Sequence, residues 1–273
     1  MKQHIGKITN NKYTSKVVQT VFSLQKHLVK LYLKKIDFDV SRLGIQEAAR
    51  HNMKNARTKI KTFGIDKALE TCLKQKPVIL ISNHPHEFDP IMLLASLPSR
   101  EDCFLIVQSQ FMRLGKHISK YLIPVYIDHH YEERKHKFIK EVYMRKLCNH
   151  KTLTPEEEHQ KNIESIRIAA SKVSQNGMVI IFPESKEGPW QKGVGHLIAQ
   201  VKNPEMLVIL AHISNTSDYD YLRFMPKSGK LLPQIAIHFS KPILVSELKK
   251  TQARDIVLNL EKKYKQWSSV LEK

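Results

Sequence analysis

"ILISNHPHEFDPIMLL", residues 79–94, decides how the chain is read. An apolar run stops, a polar loop with two histidines follows, and a second apolar run begins. "PVILIS" (77–82) is short, apolar and rich in β-branched residues, as a buried strand is. "DPIMLLASL" (89–97) predicts a helix, with Asp89 as N-cap and Pro90 at the first helical position. Strand, loop and helix in that order make one unit of an α/β fold.

The same alternation extends downstream. Strands are expected over 103–109, 122–128, 178–183, 205–214 and 234–243. Helices are expected over 110–121, 156–175, 193–202 and from Ser246 to the end, with Asn176-Gly177 ending the second. Upstream, "SRLGIQEAARHNMKNARTKIKTF" and "IDKALETCLKQ" within 41–75 read as helical. The expectation is an α/β domain over 76–273, with a central mixed sheet flanked by helices. Residues 1–75 form a basic, helical N-terminal extension. Loops that follow strand ends carry the sites in such folds, and here those are 83–89 and 184–193.

The 273 residues are 41% hydrophobic, enough for a substantial core. Lys and Arg outnumber Asp and Glu by 45 to 26, a formal charge of +19. Such a surface attracts nucleic acid, anionic lipid or acidic cofactors, and does not choose among them. Cys72, Cys103 and Cys148 are sparse and odd in number, which argues for a reducing compartment. No zinc-type Cys/His spacing is present, so no metal is expected. No apolar run approaches the roughly 20 residues needed to span a bilayer. The first residues lack the apolar stretch of a secretory signal.

Residues 1–36 hold eight lysines and no acidic residue. From Thr14, Val18, Val21, Phe22, Leu28, Val29 and Tyr32 share one helical face, opposite Lys16, Lys26, Lys30 and Lys34. A basic amphipathic helix suits a lipid interface; it equally suits packing on its own domain with a solvated lysine face. The localisation expected is cytoplasmic, peripheral on the inner face of a membrane.

In "NHPHEFD", His84 and Asp89 lie five apart in a loop whose end is fixed by Asp89-Pro90. A curled loop brings that carboxylate to one ring nitrogen, leaving the other to take a proton from a substrate hydroxyl. No enzyme serine is then required. The plainer reading is a helix cap beside a loop histidine, and the spacing alone does not separate the two.

A second loop, "IIFPESKEGPWQKG", changes the weight. Together the blocks resemble the glycerolipid acyltransferase family, whose familiar members are 1-acylglycerol-3-phosphate acyltransferases. Its N-H-x4-D motif matches Asn83, His84 and Asp89, and its F-P-E-G-T-R motif matches Phe182, Pro183 and Glu184. "YLIPVYIDHH", "GPWQKG" and "LVILAHIS" stand where that family has its other blocks, so the resemblance spans roughly residues 75–245. It implies transfer of a fatty acyl group from an acyl thioester, on coenzyme A or acyl carrier protein, to a hydroxyl of a glycerolipid such as lysophosphatidic acid. His84 would be the general base and Asp89 its partner, with no cofactor beyond the co-substrate. Asn83 and Glu184 would belong to the site.

Two arginines usual in the family are absent. Asp128-His129 replaces one, and Ser185, Lys186 and Glu187 replace Gly-Thr-Arg. An arginine fork grips phosphate in two places, whereas lysine is a point charge. Ser185, Lys186, Lys192 and His129 are therefore the candidate acceptor-binding residues, and an acceptor without phosphate is the alternative. A catalytically silent lipid-binding relative is the competing class, against which the intact His84 and Asp89 argue. Ser185 as a hydrolase nucleophile lacks a G-x-S-x-G elbow. His129, His130 and His136 read as solvated rather than metal-binding. No nucleic-acid motif accompanies the basic charge, so no nucleic-acid partner is expected.

Overall fold

The computed structural model describes residues 33–127, 153–183, 189–224, 226–248 and 252–271. At its centre are Val78–Ser82 (β2), Met178–Ile181 (β5) and Leu207–Ser214 (β6). β2 is buried along its whole length and pairs in parallel with β5 on one side and β6 on the other. A continuous apolar strand of this kind needs helices on both faces.

The sheet widens outward from that centre. Beyond β5 lie Cys103–Gln108 (β3) and Leu122–Val125 (β4), both parallel. Beyond β6 lies Ile235–Phe239 (β7), antiparallel to it, and then Ile60–Phe63 (β1), parallel to β7. The order is β1-β7-β6-β2-β5-β3-β4, and Ile243–Leu244 (β8) pairs with the start of β6. The sheet is mixed, as expected.

One face is covered by residues 33–43 (α1), Ile45–Asn55 (α2), Lys67–Gln75 (α3) and Asp89–Ser96 (α4), with Val40, Ala48, Leu73 and Leu93 against Leu80 and Ile209. The other face is covered by Pro155–Ser174 (α5), Gly193–Gln200 (α6), the short Val245–Leu248 (α7) and Ala253–Ser268 (α8). There Ala169, Leu197 and Leu260 meet Ile79, Ile81 and Val208. α5 opens with a full capping box, Thr154 and Glu157 each satisfying the other's backbone N–H. No helix among the described residues is long and apolar enough to cross a membrane.

The structure corrects several expectations. Within 41–75 the helical reading fails at Ile60–Phe63, which is an edge strand. It turns at Gly64, φ 81°, where a side chain would run into the Phe239 carbonyl. The described part of 1–75 therefore shares both sheet and core with the residues beyond 75. Residues 110–121 are not one helix but two 3₁₀ turns, Ser109–Arg113 and Ile118–Tyr121. The Asp37 carboxylate accepts from the His117 and Ile118 N–H groups at 2.7 and 2.9 Å, replacing the carbonyls a helix would supply. The strand expected over 234–243 is divided into β7 and β8, and the C-terminal helix into α7 and α8. The amphipathic stripe over 18–32 lies outside the described residues.

Candidate active site

β2 ends at Ser82 and the "NHPHEFD" loop follows. Asn83 is buried and spends its amide on the main chain of β6. Its Nδ2 donates to the Ile213 carbonyl at 2.8 Å, and its Oδ1 accepts from Ile213 N–H at 2.7 Å. The side chain thus copies a peptide group and carries the β2–β6 ladder one step past the strand. Both amide atoms of Asn83 are engaged in this way at the start of the loop that carries His84.

Asp89 is the first residue of α4, with Phe88 at the cap position and Pro90 next. Its carboxylate does not cap the helix as expected. Oδ2 accepts the His86 N–H at 2.6 Å, curling the loop back on itself. The Asp89 side chain is fully buried. His84 Nδ1 lies 3.6 Å from Asp89 Oδ2, while the ring as a whole is one-third exposed. Both His84 Nδ1 and Asp89 Oδ1 are buried without a hydrogen-bond partner. A buried carboxylate is costly unless something pairs with it, and the imidazole edge is the group placed to do so. The Phe182 ring, tilted with centroid 5.1 Å from that of His84, forms the adjoining wall.

The second loop leaves β5 through Phe182 and Pro183. Gln191 N–H donates to the Pro183 carbonyl at 3.0 Å, so the loop's two ends are held together. Trp190 anchors the returning end: it is buried against the Tyr264 ring, at a centroid distance of 5.4 Å, on α8. The structure therefore brings Asn83, His84, Asp89 and Phe182 together. Lys192 is exposed just before α6. Glu184, Ser185, Lys186 and His129 lie outside the described residues.

Two features had no signal in the sequence. His86 Nδ1 lies 3.1 Å from Asp218 Oδ1, which ties the first loop to the segment after β6. That segment is pinned by an ion pair between Asp220 and Arg223, both fully buried, at 2.7 Å. Cys103 is no competing nucleophile, because burial pushes its thiol up to about 12. A cleft of about 780 Å³, lined by Gly64, Phe239, Lys241 and Trp267 among others, includes none of these site residues.

Residues 51–209, more than half of the chain, match the family model described as Acyltransferase. Among solved structures, the chain is similar to the crystal structure of the 1-acyl-sn-glycerophosphate (LPA) acyltransferase, PlsC, from Thermotoga maritima. The identity is 12% and the TM-score 0.45, over 90% of this chain and 98% of that one. No curated protein sequence matches. On the match over 51–209, which takes in the His84–Asp89 loop, the chain belongs to the Acyltransferase family.

Proposed function

We propose that the protein moves a fatty acyl group from an acyl thioester, on coenzyme A or acyl carrier protein, to a hydroxyl of a glycerolipid. The observation that carries this reading is the pairing of a half-buried His84 with a fully buried Asp89 whose Oδ1 has no partner. With Nδ1 turned toward the carboxylate, Nε2 is the nitrogen left for the acceptor. It takes the hydroxyl proton as the acceptor oxygen attacks the thioester carbonyl carbon. Asp89 stabilises the imidazolium that forms. Collapse of the tetrahedral intermediate breaks the C–S bond, and the imidazolium returns the proton to the departing thiolate. An ester and a free thiol result.

Phosphate recognition falls to lysine and histidine on this reading: Lys186 and Lys192 from the second loop, and His129 after β4. An acceptor lacking phosphate is the second reading, favoured by Glu187 standing where an acceptor-binding arginine is usual. The protein works as a peripheral protein on the inner face of a membrane. The deciding experiment supplies purified protein with acyl-CoA or acyl carrier protein thioester and a panel of acceptors, with and without phosphate. Transfer by wild type and transfer slower by about 10²- to 10⁴-fold in His84→Ala is the expected result; equal transfer by both removes His84 from the mechanism.

A further inference from the structure

The segment between β6 and β7 is joined to the end of α2 by two backbone hydrogen bonds, Lys227 N–H to the Asn55 carbonyl at 3.1 Å and Gly229 N–H to the Ala56 carbonyl at 2.8 Å. This lays residues 227–229 beside 55–57 and gathers exposed cations: Lys54, Arg57 and Lys59 from one segment, Lys227 and Lys230 from the other. No acidic residue occurs in 51–60 or 221–234. Of the acids just before, Asp220 is buried with Arg223, while Asp218 lies against His86 with its side chain 86% exposed at the edge of the rim. Large apolar side chains stand exposed in the same segment: Leu231 is 78% exposed and Tyr219 is 64% exposed.

The backbone adds an independent sign. Four non-glycine residues among those described have positive φ: Arg57, Asn176, Asn215 and Lys227. Asparagine tolerates that region, whereas long side chains adopt it at a cost. Arg57 at 56° and Lys227 at 68° are both basic and both on this rim. Positive charge is kept where glycine or asparagine would be at ease, which points to a use for the charge.

We propose that this rim docks on an anionic lipid bilayer, with Leu231 and Tyr219 entering the interface and Arg57, Lys227 and Lys230 facing the headgroups. Lysine beside leucine and tyrosine is the chemistry of an interfacial contact, and an acidic protein partner would leave an apolar leucine unexplained. The Asp218–His86 contact places the rim beside the catalytic loop. That docking delivers the acceptor to His84 rests on the lipid-acceptor reading above.

The test is co-sedimentation of the full chain with vesicles of phosphatidylcholine alone and of equimolar phosphatidylcholine and phosphatidylglycerol. Lys227→Gln with Lys230→Gln is expected to weaken binding to the anionic vesicles on the order of 30-fold, at about 1 kcal/mol per lysine near the surface. Leu231→Ser, made separately, is expected to weaken the binding that survives at high salt. Both variants should melt like wild type and retain transfer to a detergent-dispersed acceptor. Vesicle binding by both variants equal to wild type overturns the proposal. So does loss of binding to acyl carrier protein with vesicle binding intact, which would make the rim a protein-docking surface. Absence of transfer in wild type, with vesicle binding still lost in the variants, sinks the reaction and leaves the docking surface standing.

Discussion

Asn83 and Ile213 exchange two hydrogen bonds although 130 positions separate them. The exchange sets where β2 stops and His84 begins. Asn83→Ala leaves the buried Ile213 N–H and carbonyl unpaired, at about 1–3 kcal/mol for each group. Asn83→Asp restores only the acceptor. Both variants are expected to unfold at lower denaturant and to lose turnover, with alanine the worse in stability. Denaturation midpoints and kcat on the same preparations check this; an unchanged midpoint for alanine would refute the clamp.

The His84–Asp89 pair predicts a different pattern, large in rate and small in stability. His84→Ala should lower kcat by about 10²- to 10⁴-fold, the usual worth of a positioned general base, since its ring is one-third exposed and its loss leaves little void. Asp89→Asn keeps an oxygen for the His86 N–H but removes the charge that stabilises the imidazolium. It should lower kcat more than it raises KM. Steady-state kinetics of the two variants, with a melting curve for each, separate the pattern from misfolding.

Arg223 and Asp220 form an ion pair out of contact with solvent, and Arg223 also donates to the Pro233 carbonyl at 2.9 Å. Removing one partner strands the other charge. Arg223→Ala is expected to cost about 3–5 kcal/mol, and Arg223→Met with Asp220→Leu less than the single change. Urea unfolding of the two proteins tests the order; a double variant less stable than Arg223→Ala would contradict it.

Arg100 binds Asp102 through two hydrogen bonds, of 2.6 and 2.8 Å, and donates to the Leu73, Lys76 and Asn176 carbonyls. Burial pushes the Asp102 carboxyl upward, but the hydrogen bonds and charge of Arg100 outweigh it and hold the group below its ordinary 3.8. A carboxyl depressed in the folded state stabilises the fold above its unfolded value, and that stability is lost as pH falls through the folded one. Wild type should therefore lose melting temperature below about pH 4 more steeply than Asp102→Asn. Melting curves between neutral pH and pH 3 give the comparison, and parallel curves would exclude the contribution.

Much of the molecule was legible in the chain. β2, β5 and β6 are short, nearly continuous apolar runs, and a run of that length and composition reads as a buried strand from the sequence itself. α5 was expected over 156–175 and announces its end through Asn176-Gly177; its start, one residue earlier behind the Thr154 and Glu157 capping box, came from the structure. β1 was not legible: "IKTF" has a lysine and a threonine at its centre, and among the described residues its strand partner is β7, remote in sequence. The 3₁₀ turns around Gly115 were missed for a related reason, since the acceptor that ends the helix there comes from Asp37 on α1.

The candidate site divides along the same line. Local chemistry in "NHPHEFD" by itself determined that a histidine and a carboxylate share one loop ahead of a helix that starts at Asp89-Pro90. The tertiary structure alone decided what each polar group does. Asp89 holds the His86 N–H instead of capping α4, and Asn83 clamps β6. His86 meets Asp218, and the basic segments 54–59 and 227–230 come to lie on one rim. Each of those outcomes is a hydrogen bond or a charge contact whose partner is remote in sequence or set by how the loop curls. Such a partner becomes available only once the sheet has brought distant strands together.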